Sequence, residues 1–215
     1  MNLQQIAPTR SNLMAVRRAL AFAREGHDIL DRKREVLITE LLRVSHEATE
    51  LQARVWPMLA EAYQALQVAQ LELGREHLEW AALSVNKTIE VDVTLHSIMG
   101  VVVPSITAQG APPDLSYSLG NTTVALDDAA RRFREVLVEI PRLAELLTTT
   151  WRLARDLQTT QRRVNALEHI LIPAYEEAVR TIESALEERE REELFRMKRV
   201  KALRSDGERG TAAGA

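Results

Sequence analysis

The sequence contains no cysteine, which excludes disulfide bonds and thiolate chemistry and indicates a reducing compartment. Aromatic residues account for only 4% of the 215 residues, with eight glycines and seven prolines. This composition is typical of long helices that carry an apolar stripe. The segment MNLQQIAPTR lacks the apolar stretch of a signal peptide, and the longest apolar run, Ile98–Val103, is far shorter than the roughly 20 residues of a membrane-spanning helix. We therefore expect a soluble, mainly helical protein without direct membrane insertion.

A strong net charge is also missing, because 28 basic residues face 31 acidic ones. No global field therefore points to nucleic acid or to an anionic membrane. The charge is uneven: residues 1–60 and 131–215 each carry a net +2, whereas residues 61–130 carry −7. The basic run Arg196–Arg204 follows an acidic block and has no interleaved aromatics, so it does not favour nucleic-acid binding. The two ends are expected to belong together, with the acidic middle as a separate region.

Motifs for catalysis are absent from the sequence. No GxxxxGK[ST] phosphate loop occurs, and the five histidines are scattered without HExxH spacing. No nucleophile motif surrounds the serines and threonines. We expect no catalytic, cofactor or metal site, and a protein that is not an enzyme.

Apolar residues repeat every seven positions through the first third of the chain. A period of 3.5 residues sustained over eight heptads predicts a left-handed coiled coil. Two polar residues, His27 and Arg34, interrupt the second row. The first row is Val16, Ala23, Leu30, Leu37, Val44, Leu51, Met58 and Ala65, and the second is Leu13, Leu20, His27, Arg34, Leu41, Ala48, Val55 and Ala62.

The partner of this helix is expected to be the other end of the same chain. The C-terminal part is again helical, with an apolar stripe of less regular spacing. The middle alternates apolar and polar residues from Ile89 to Leu95, and Val101–Val103 forms a second β-prone run, which together predict a β-hairpin. A loop at Pro112–Pro113 and Gly120 should lead into the last helix. The predicted stripe comprises Ile140, Leu143, Leu147, Leu157, Val164, Leu171, Val179, Ile182 and Leu186.

The predicted fold is mainly α: a long antiparallel two-helix coiled coil formed by the N- and C-terminal helices, with a small central α/β-hairpin head. The predicted divisions are an N-terminal shaft helix at 1–73, the head at 74–120, a C-terminal shaft helix at 121–204 and a disordered tail at 205–215.

Three prolines lie inside the helical patterns: Pro57, Pro141 and Pro173. Each removes a helical hydrogen bond and should kink or break its helix. In an antiparallel hairpin Pro57 would lie near Pro141, and Pro173 near Gly26 and His27. Two bend points are one interpretation; the other is that the prolines occur where the chain tolerates them.

Two polar residues of the C-terminal helix, Gln161 and Glu168, fall where apolar residues would continue the seam. They are candidate register residues facing Arg34 or His27, since a polar group in a coiled-coil seam fixes pairing at some cost in stability. For Asn165 and Glu168, contact with a partner protein is the alternative.

Four blocks in order resemble the family of D subunits from V/A-type rotary ATPases. The pattern R-R-V-N-A-L-E-x-I-x-I-P matches Arg162–Pro173, and E-x-R-E-R-E-E-x-F-R-x-K matches Glu187–Lys198. The N-terminal block has a Pro-Thr-Arg start followed by Gly26, Leu30, Lys33 and Arg34, and IMGVVVP at Ile98–Pro104 is similar to a short motif of the family's hairpin region. Pro57 and Pro141 depart from the family, whose members generally carry ordinary helix formers there.

This resemblance implies a non-catalytic central-stalk subunit in a membrane-bound complex on the cytoplasmic side. Its implied partners are the catalytic and non-catalytic nucleotide-binding subunits (A and B), the small F subunit of the rotor, and the funnel-shaped subunit capping the membrane ring. Its implied role is to couple ATP synthesis or hydrolysis to proton or sodium transport. A free-standing coiled-coil scaffold or adaptor is the alternative. The candidate partner contacts are Arg162, Arg163, Glu187, Glu188, Arg191, Arg196 and Lys198, any of which could instead lie on a solvated helix face.

Overall fold

The computed structural model describes residues 7–85, 89–110 and 122–212, with side chains described as far as Lys201. The elements follow the chain in the order helix, helix, hairpin, helix, with one π-helical segment near the C-terminal end. They are α1 (Arg10–Leu73), α2 (Arg75–Leu83), β1 (Glu90–Ile98), β2 (Val101–Gln109), α3 (Val124–Ala166), the π-helical segment Leu167–Leu171 and α4 (Ile172–Ala212).

Helix α1 begins where the sequence offers a cap, because Thr9 Oγ1 accepts a hydrogen bond from the Asn12 backbone N–H at 3.2 Å. The two heptad rows then define its packed side: every residue of both rows is buried or half-buried, and none is exposed. Leu37 and Ala62 are fully buried. The heptads of the N-terminal helix are therefore confirmed as the packing face.

The chain divides into two compact units by the density of its internal contacts. We call Met1–Arg32 with Thr160–Ala215 the terminal unit, and Lys33–Thr159 the middle unit. In each unit the N-terminal helix packs antiparallel against helical residues from the C-terminal half, as the sequence predicts.

The middle unit holds the larger apolar core, built from α1, α3 and the first half of β2. Leu37, Val55 and Leu153 are among its fully buried side chains, and Val103 of β2 joins them. The terminal unit has a smaller cluster in which Val16 of α1 packs with residues of α4. Its buried members are Val16, Ala178 and Ile182, with Leu13, Tyr175, Val179 and Leu186 partly buried against them.

Strands β1 and β2 form a two-stranded antiparallel hairpin in register from Ile98↔Val101 to Glu90↔Gln109. The two residues of the turn, Met99 and Gly100, both have positive φ, at 49° and 83°. Positive φ at both positions is what the two-residue turn favoured by twisted strands requires, and glycine meets it without strain. The hairpin predicted from the alternating pattern is confirmed.

Part of the predicted C-terminal stripe is wrong. Ile140, Leu147 and Leu171 are 43%, 44% and 39% exposed. Leu143 is buried as predicted, but Leu146 and Leu153 take the neighbouring positions on the packed side. The reason is that apolar residues in this stretch occur on two adjacent helical rows, and contact with α1 and β2 selects one of them.

The predicted divisions of the chain stay predictions, although several element boundaries can be compared with them. Helix α1 ends at Leu73, where the shaft helix was expected to end, and α4 continues to Ala212, past the predicted boundary at 204. The loop expected at Pro112–Pro113 and Gly120, and the expected helix start at 121, lie outside the described residues.

Candidate interaction surfaces

The seven candidate partner contacts all lie on exposed helical surface of the terminal unit. Four of these charges have neighbours of opposite charge on the same helix. Arg191 lies 3.9 Å from the carboxylates of both Glu187 and Glu188, and Arg196 lies 3.8 Å from Glu192. Glu187–Arg191 and Glu192–Arg196 have the i,i+4 spacing that brings side chains together on one helix face. Such exposed pairs are weak and exchange readily with other partners, so this surface is suited to reversible contacts.

A ladder of ion pairs between helices joins α1 to α4 in the terminal unit. The guanidinium groups of Arg10, Arg17 and Arg24 lie 2.6, 2.5 and 2.7 Å from carboxylate oxygens of α4. The arginines are spaced by seven residues on α1, and their partners by seven in the reverse direction on α4. The partners are Glu190, Glu183 and Glu176, in that order.

Sequence reasoning missed this ladder, although the two heptad-spaced series of opposite charge could have revealed it. Flanking charges of this kind set partner and orientation in coiled coils. The ladder ends where α1 begins, since Arg189 Nη1 also donates a 2.9 Å hydrogen bond to the carbonyl of Pro8. The ladder therefore fixes which residues of α4 lie beside the start of α1.

The candidate register residues have short-range partners in the terminal unit. His27 Nε2 lies 4.0 Å from Glu168 Oε2, at the edge of ion-pair distance. Gln161 donates a 2.7 Å hydrogen bond to Asn165 Oδ1, one turn along α3. Gly26 is half-buried, and a Cβ added there would meet no atom within 4 Å. Lack of space is therefore not what requires glycine at position 26.

The π-helical segment Leu167–Leu171 ends two residues before Pro173. Its widened hydrogen bonding is seen where the Ile172 N–H donates to the carbonyl of Leu167, five residues earlier. Proline lacks an N–H and its ring crowds the carbonyl four residues before it. A π-helical turn at this point changes the carbonyl positions that the proline ring would otherwise meet. The conspicuous motif Arg162–Pro173 thus encodes a local departure from α-helical geometry.

The other two prolines do not interrupt their helices. Pro57 lies inside α1 and Pro141 inside α3, and both helices continue through them. Arg34, the remaining candidate register residue, is half-buried in the middle unit. Bending of the helix axes at the prolines, and their lying at one level, stay predictions.

An apolar groove of about 650 Å³ lies in the middle unit, between α1, α2 and α3. Tyr63 and Phe133 meet edge to face beside it, with ring centroids 5.4 Å apart. Helix α2 has no buried residue, and its Leu78 and Ala82 line one wall. Among the other lining residues are Leu59, Leu66, Val85, Leu126, Ala129 and Leu137.

Ion pairs beside this groove tie α3 to α1. Arg132 contacts Asp128 on its own helix at 3.0 Å and Glu61 of α1 at 2.8 Å. Hydrogen bonds from Arg132 and then Arg131 lower the pKa of Asp128. Further along the same unit, Lys33 Nζ lies 2.9 Å from Asp156 Oδ2. These pairs are partly exposed and add orientation more than stability.

Two features are absent from the described part of the chain. No group of three or more histidine, aspartate or glutamate side chains that could hold a metal ion occurs among the described residues. None of the helices in the described ranges combines the length and apolar character needed to cross a membrane. The surfaces that the described residues do form include an exposed charged face on α4 and an apolar groove in the middle unit.

The chain is similar to known proteins over most of its length. The family model described as the D subunit of ATP synthase matches residues 12–202. The chain is similar to the V-type ATP synthase D subunit of Thermotoga neapolitana, with 40% identity over 91% of this chain and 97% of that protein. It is also similar to the A-type ATP synthase D subunit of Thermococcus gammatolerans, with 42% identity over 94% and 95% of the two chains, and to that of Pyrococcus furiosus, with 39% over 93% and 94%.

Proposed function

Because the chain belongs to the family of ATP synthase D subunits, we propose that it is the non-catalytic central-stalk (rotor) subunit of a V/A-type ATPase/ATP synthase. In this role it transmits torque between the hexamer of catalytic and non-catalytic nucleotide-binding subunits (A and B) and the membrane ring. The torque couples ATP synthesis or hydrolysis to transport of protons or sodium ions. The protein works on the cytoplasmic side, peripheral to the membrane.

The observation that carries the proposal is the antiparallel pairing of α1 with the C-terminal helices. A torque-bearing element must resist unwinding, and two helices locked along a common seam resist it better than one. The seam supplies apolar contacts at Val16 and Ile182, and the ion-pair ladder holds the helices on its flank. A single amphipathic helix would resist twisting through its own backbone hydrogen bonds alone, without contacts to a second helix.

The exposed faces support a second part of the proposal, in which the charged surface of α4 meets the A and B subunits. Contacts that form and break at every step need weak, exchangeable interactions, and exposed ion pairs meet this requirement. The middle unit is the part that we assign to the F subunit of the rotor and to the funnel-shaped subunit capping the membrane ring. Its apolar groove and its net negative charge suit stable contacts within the rotor.

Co-purification tests membership of the complex. The full-length chain with an affinity tag is recovered from native membranes under conditions that keep complexes intact. We expect the A and B subunits to be recovered with it in defined stoichiometry. A stable homo-oligomer without these subunits would contradict the proposal and support the scaffold alternative.

Single-molecule rotation tests torque directly. Because the chain has no cysteine of its own, an introduced cysteine is its single site for thiol labelling. A Leu83→Cys substitution places one thiol at a residue that is 86% exposed, to which a gold bead can be attached in the immobilised complex. ATP should drive rotation of the bead in one direction. The unsubstituted chain is the labelling control, and a labelled complex that hydrolyses ATP with a stationary bead would refute the rotor role.

Truncation tests the surface of α4. Deletion from Leu186 onward removes five candidate contacts together with Glu190 of the ladder. We expect ion pumping per ATP hydrolysed to fall in the reconstituted complex. A shorter deletion from Ala202 keeps all of these residues and serves as the matched control. Equal coupling in both truncated proteins would argue against a role for this surface.

A further inference from the structure

The two outer edges of the β-hairpin differ in what they contact. The outer edge of β2 is occupied by side chains of α3. The Ile106 N–H donates a 2.8 Å hydrogen bond to Glu145 Oε2, and Arg152 Nη1 donates a 2.8 Å hydrogen bond to the carbonyl of Val102. The backbone groups of Val102 and Ile106 therefore point away from β1. In a strand, both backbone groups of a residue point to one edge and the edge alternates along the chain.

This alternation fixes which backbone groups of β1 face outward. Val102 pairs with Ser97 and Ile106 with Val93, so these are the pairs that share no ladder hydrogen bond. By the same alternation the N–H and C=O groups of Val91, Val93, Leu95 and Ser97 point away from β2. Pro104 of β2, paired with Leu95, fits this assignment because its missing N–H falls at an outward position.

The same residues of β1 also expose their side chains. Val91, Val93 and Leu95 lie on one face and are 54%, 57% and 65% exposed. The devices that usually protect an edge strand are charged side chains, above all lysine, a proline, a bulge or a covering helix. Strand β1 contains neither lysine nor proline, its two acidic residues lie at its first end, and its register with β2 is uninterrupted over nine residues. It is a regular edge with one apolar face, of the kind that pairs with another strand.

We propose that β1 is a docking edge for an extended segment of another protein, which adds as a third strand to the hairpin. A helix or a loop could cover the valines and the leucine, but only an extended backbone satisfies the alternating outward N–H and C=O groups. The side chains on the other face of β1 include Glu90 and Asp92, in a region, residues 61–130, with net charge −7. The docking segment therefore alternates apolar residues with lysine or arginine.

This inference goes beyond the rotor role and does not depend on it, since an edge strand accepts a partner in any assembly. Its first test is photo-cross-linking in the native host. The full-length chain carries p-benzoylphenylalanine at position 95, and the cross-linked peptide is identified by mass spectrometry. We expect one segment of another chain with alternating apolar and basic residues. A cross-link to a second copy of this chain, to a segment without that alternation, or to no protein at all would overturn the proposal.

A proline substitution separates strand addition from side-chain contact. Val93→Pro removes one outward N–H and leaves the β1–β2 ladder intact, as Pro104 already does on β2. We expect the yield of the cross-link from position 95 to fall about tenfold, because an edge hydrogen bond and the register that it fixes are lost together. Thr94→Pro is the matched control, because it removes a ladder hydrogen bond and should disrupt the hairpin itself.

Hydrogen exchange keeps the proposal testable if the proline variant does not fold. In the unsubstituted complex, the amides of Val91, Val93 and Leu95 should exchange about tenfold more slowly than in the isolated chain. The ladder amides of Asp92 and Thr94 should change less. The charged variant Val93→Lys, which introduces a common edge protection, should remove the added protection. Equal protection of both amide sets, or protection that survives Val93→Lys, would contradict strand addition.

Discussion

The terminal and middle units use the same antiparallel helix pairing but are stabilised differently. Among the residues that the structure describes, the apolar cluster of the middle unit has twelve buried members, whereas that of the terminal unit has three. Both units have ion pairs between helices, but in the terminal unit these pairs form the regular three-step ladder. Buried apolar area contributes far more free energy than exposed ion pairs. The comparison teaches that the middle unit resists unfolding through its larger core, whereas in the terminal unit, where the core is smaller, the ladder has a larger share in setting the register of the helices.

The largest effect is expected from a cavity in the middle unit. Leu153→Ala removes a side chain with no exposure and should lower the free energy of unfolding by about 3 kcal/mol. Urea denaturation followed by circular dichroism measures the change. The matched control is Leu147→Ala on the same helix, where the side chain is 44% exposed and the cost should stay below about 1 kcal/mol. Equal costs would mean that the packed side of α3 is wrongly assigned.

A stabilising change is expected at Gly26 in the terminal unit. Gly26→Ala lies within α1, and the added Cβ meets no atom within 4 Å, so it should raise the stability of the unit by about 0.5–1 kcal/mol. Hydrogen exchange of the surrounding amides measures this. Gly74→Ala is the contrasting control, because its φ of 75° strains any residue with a Cβ. If Gly26→Ala raises the stability but lowers ion pumping per ATP hydrolysed in the reconstituted complex, Gly26 serves as a hinge.

The ion-pair ladder should contribute a smaller and salt-dependent amount. A double-mutant cycle with Arg17→Ala and Glu183→Ala is expected to give a coupling energy of about 0.5 kcal/mol at low salt. This coupling should decrease in roughly 1 M NaCl because the pair is screened. Exchange of α4 amides in the four proteins provides the measurement. A coupling energy of zero at low salt would show that the small apolar cluster alone holds the terminal unit.

The smallest effect concerns an ion pair within a helix of the middle unit. The hydrogen bond from Arg43 lowers the pKa of Glu40 from its ordinary 4.5. The carboxylate therefore stabilises the folded state at neutral pH, and this contribution is lost as the pH falls through the lowered folded-state pKa. Glu40→Gln should lower the free energy of unfolding by a few tenths of a kcal/mol at pH 7 and leave it unchanged at pH 2. A cost that is independent of pH would mean that Glu40 acts through packing.

The sequence predicted the N-terminal helix better than its partner, for a physical reason. Along α1 a single heptad phase is available, so the rows from Val16 to Ala65 could be assigned without knowing what they contact. Along α3 two adjacent rows are apolar, and only contact with α1 and β2 places Leu146 inside and Leu147 outside. The hairpin was predictable because its alternation and its Met99–Gly100 turn are local. The edge contacts of Glu145 and Arg152 with β2 were not, since they join residues distant in sequence.

The candidate contact residues could be predicted as exposed charges, but the ladder was missed although both of its halves are visible in the sequence. Arg17 and Glu183 belong to separate heptad-spaced series, and the two series can be paired only when the antiparallel register of the helices is known. A polar interruption of a seam was easier to notice than a regular series of charges beside it.

The π-helical segment before Pro173 has a consequence for how this sequence can change. A π-helical turn accommodates one residue more than an α-helix allows over the same length, which makes it a stored single-residue insertion. Deleting one residue from Leu167–Leu171 would restore a regular α-helix and leave the order of the elements unchanged. Such a deletion would leave later side chains, Glu176 and Glu183 among them, facing their arginines, because the π-helical turn already absorbs the extra residue. A one-residue deletion in the regular helix between this segment and Glu176 would instead rotate them by about 100°, so the π-helical segment is where the chain can change its length without breaking the ladder.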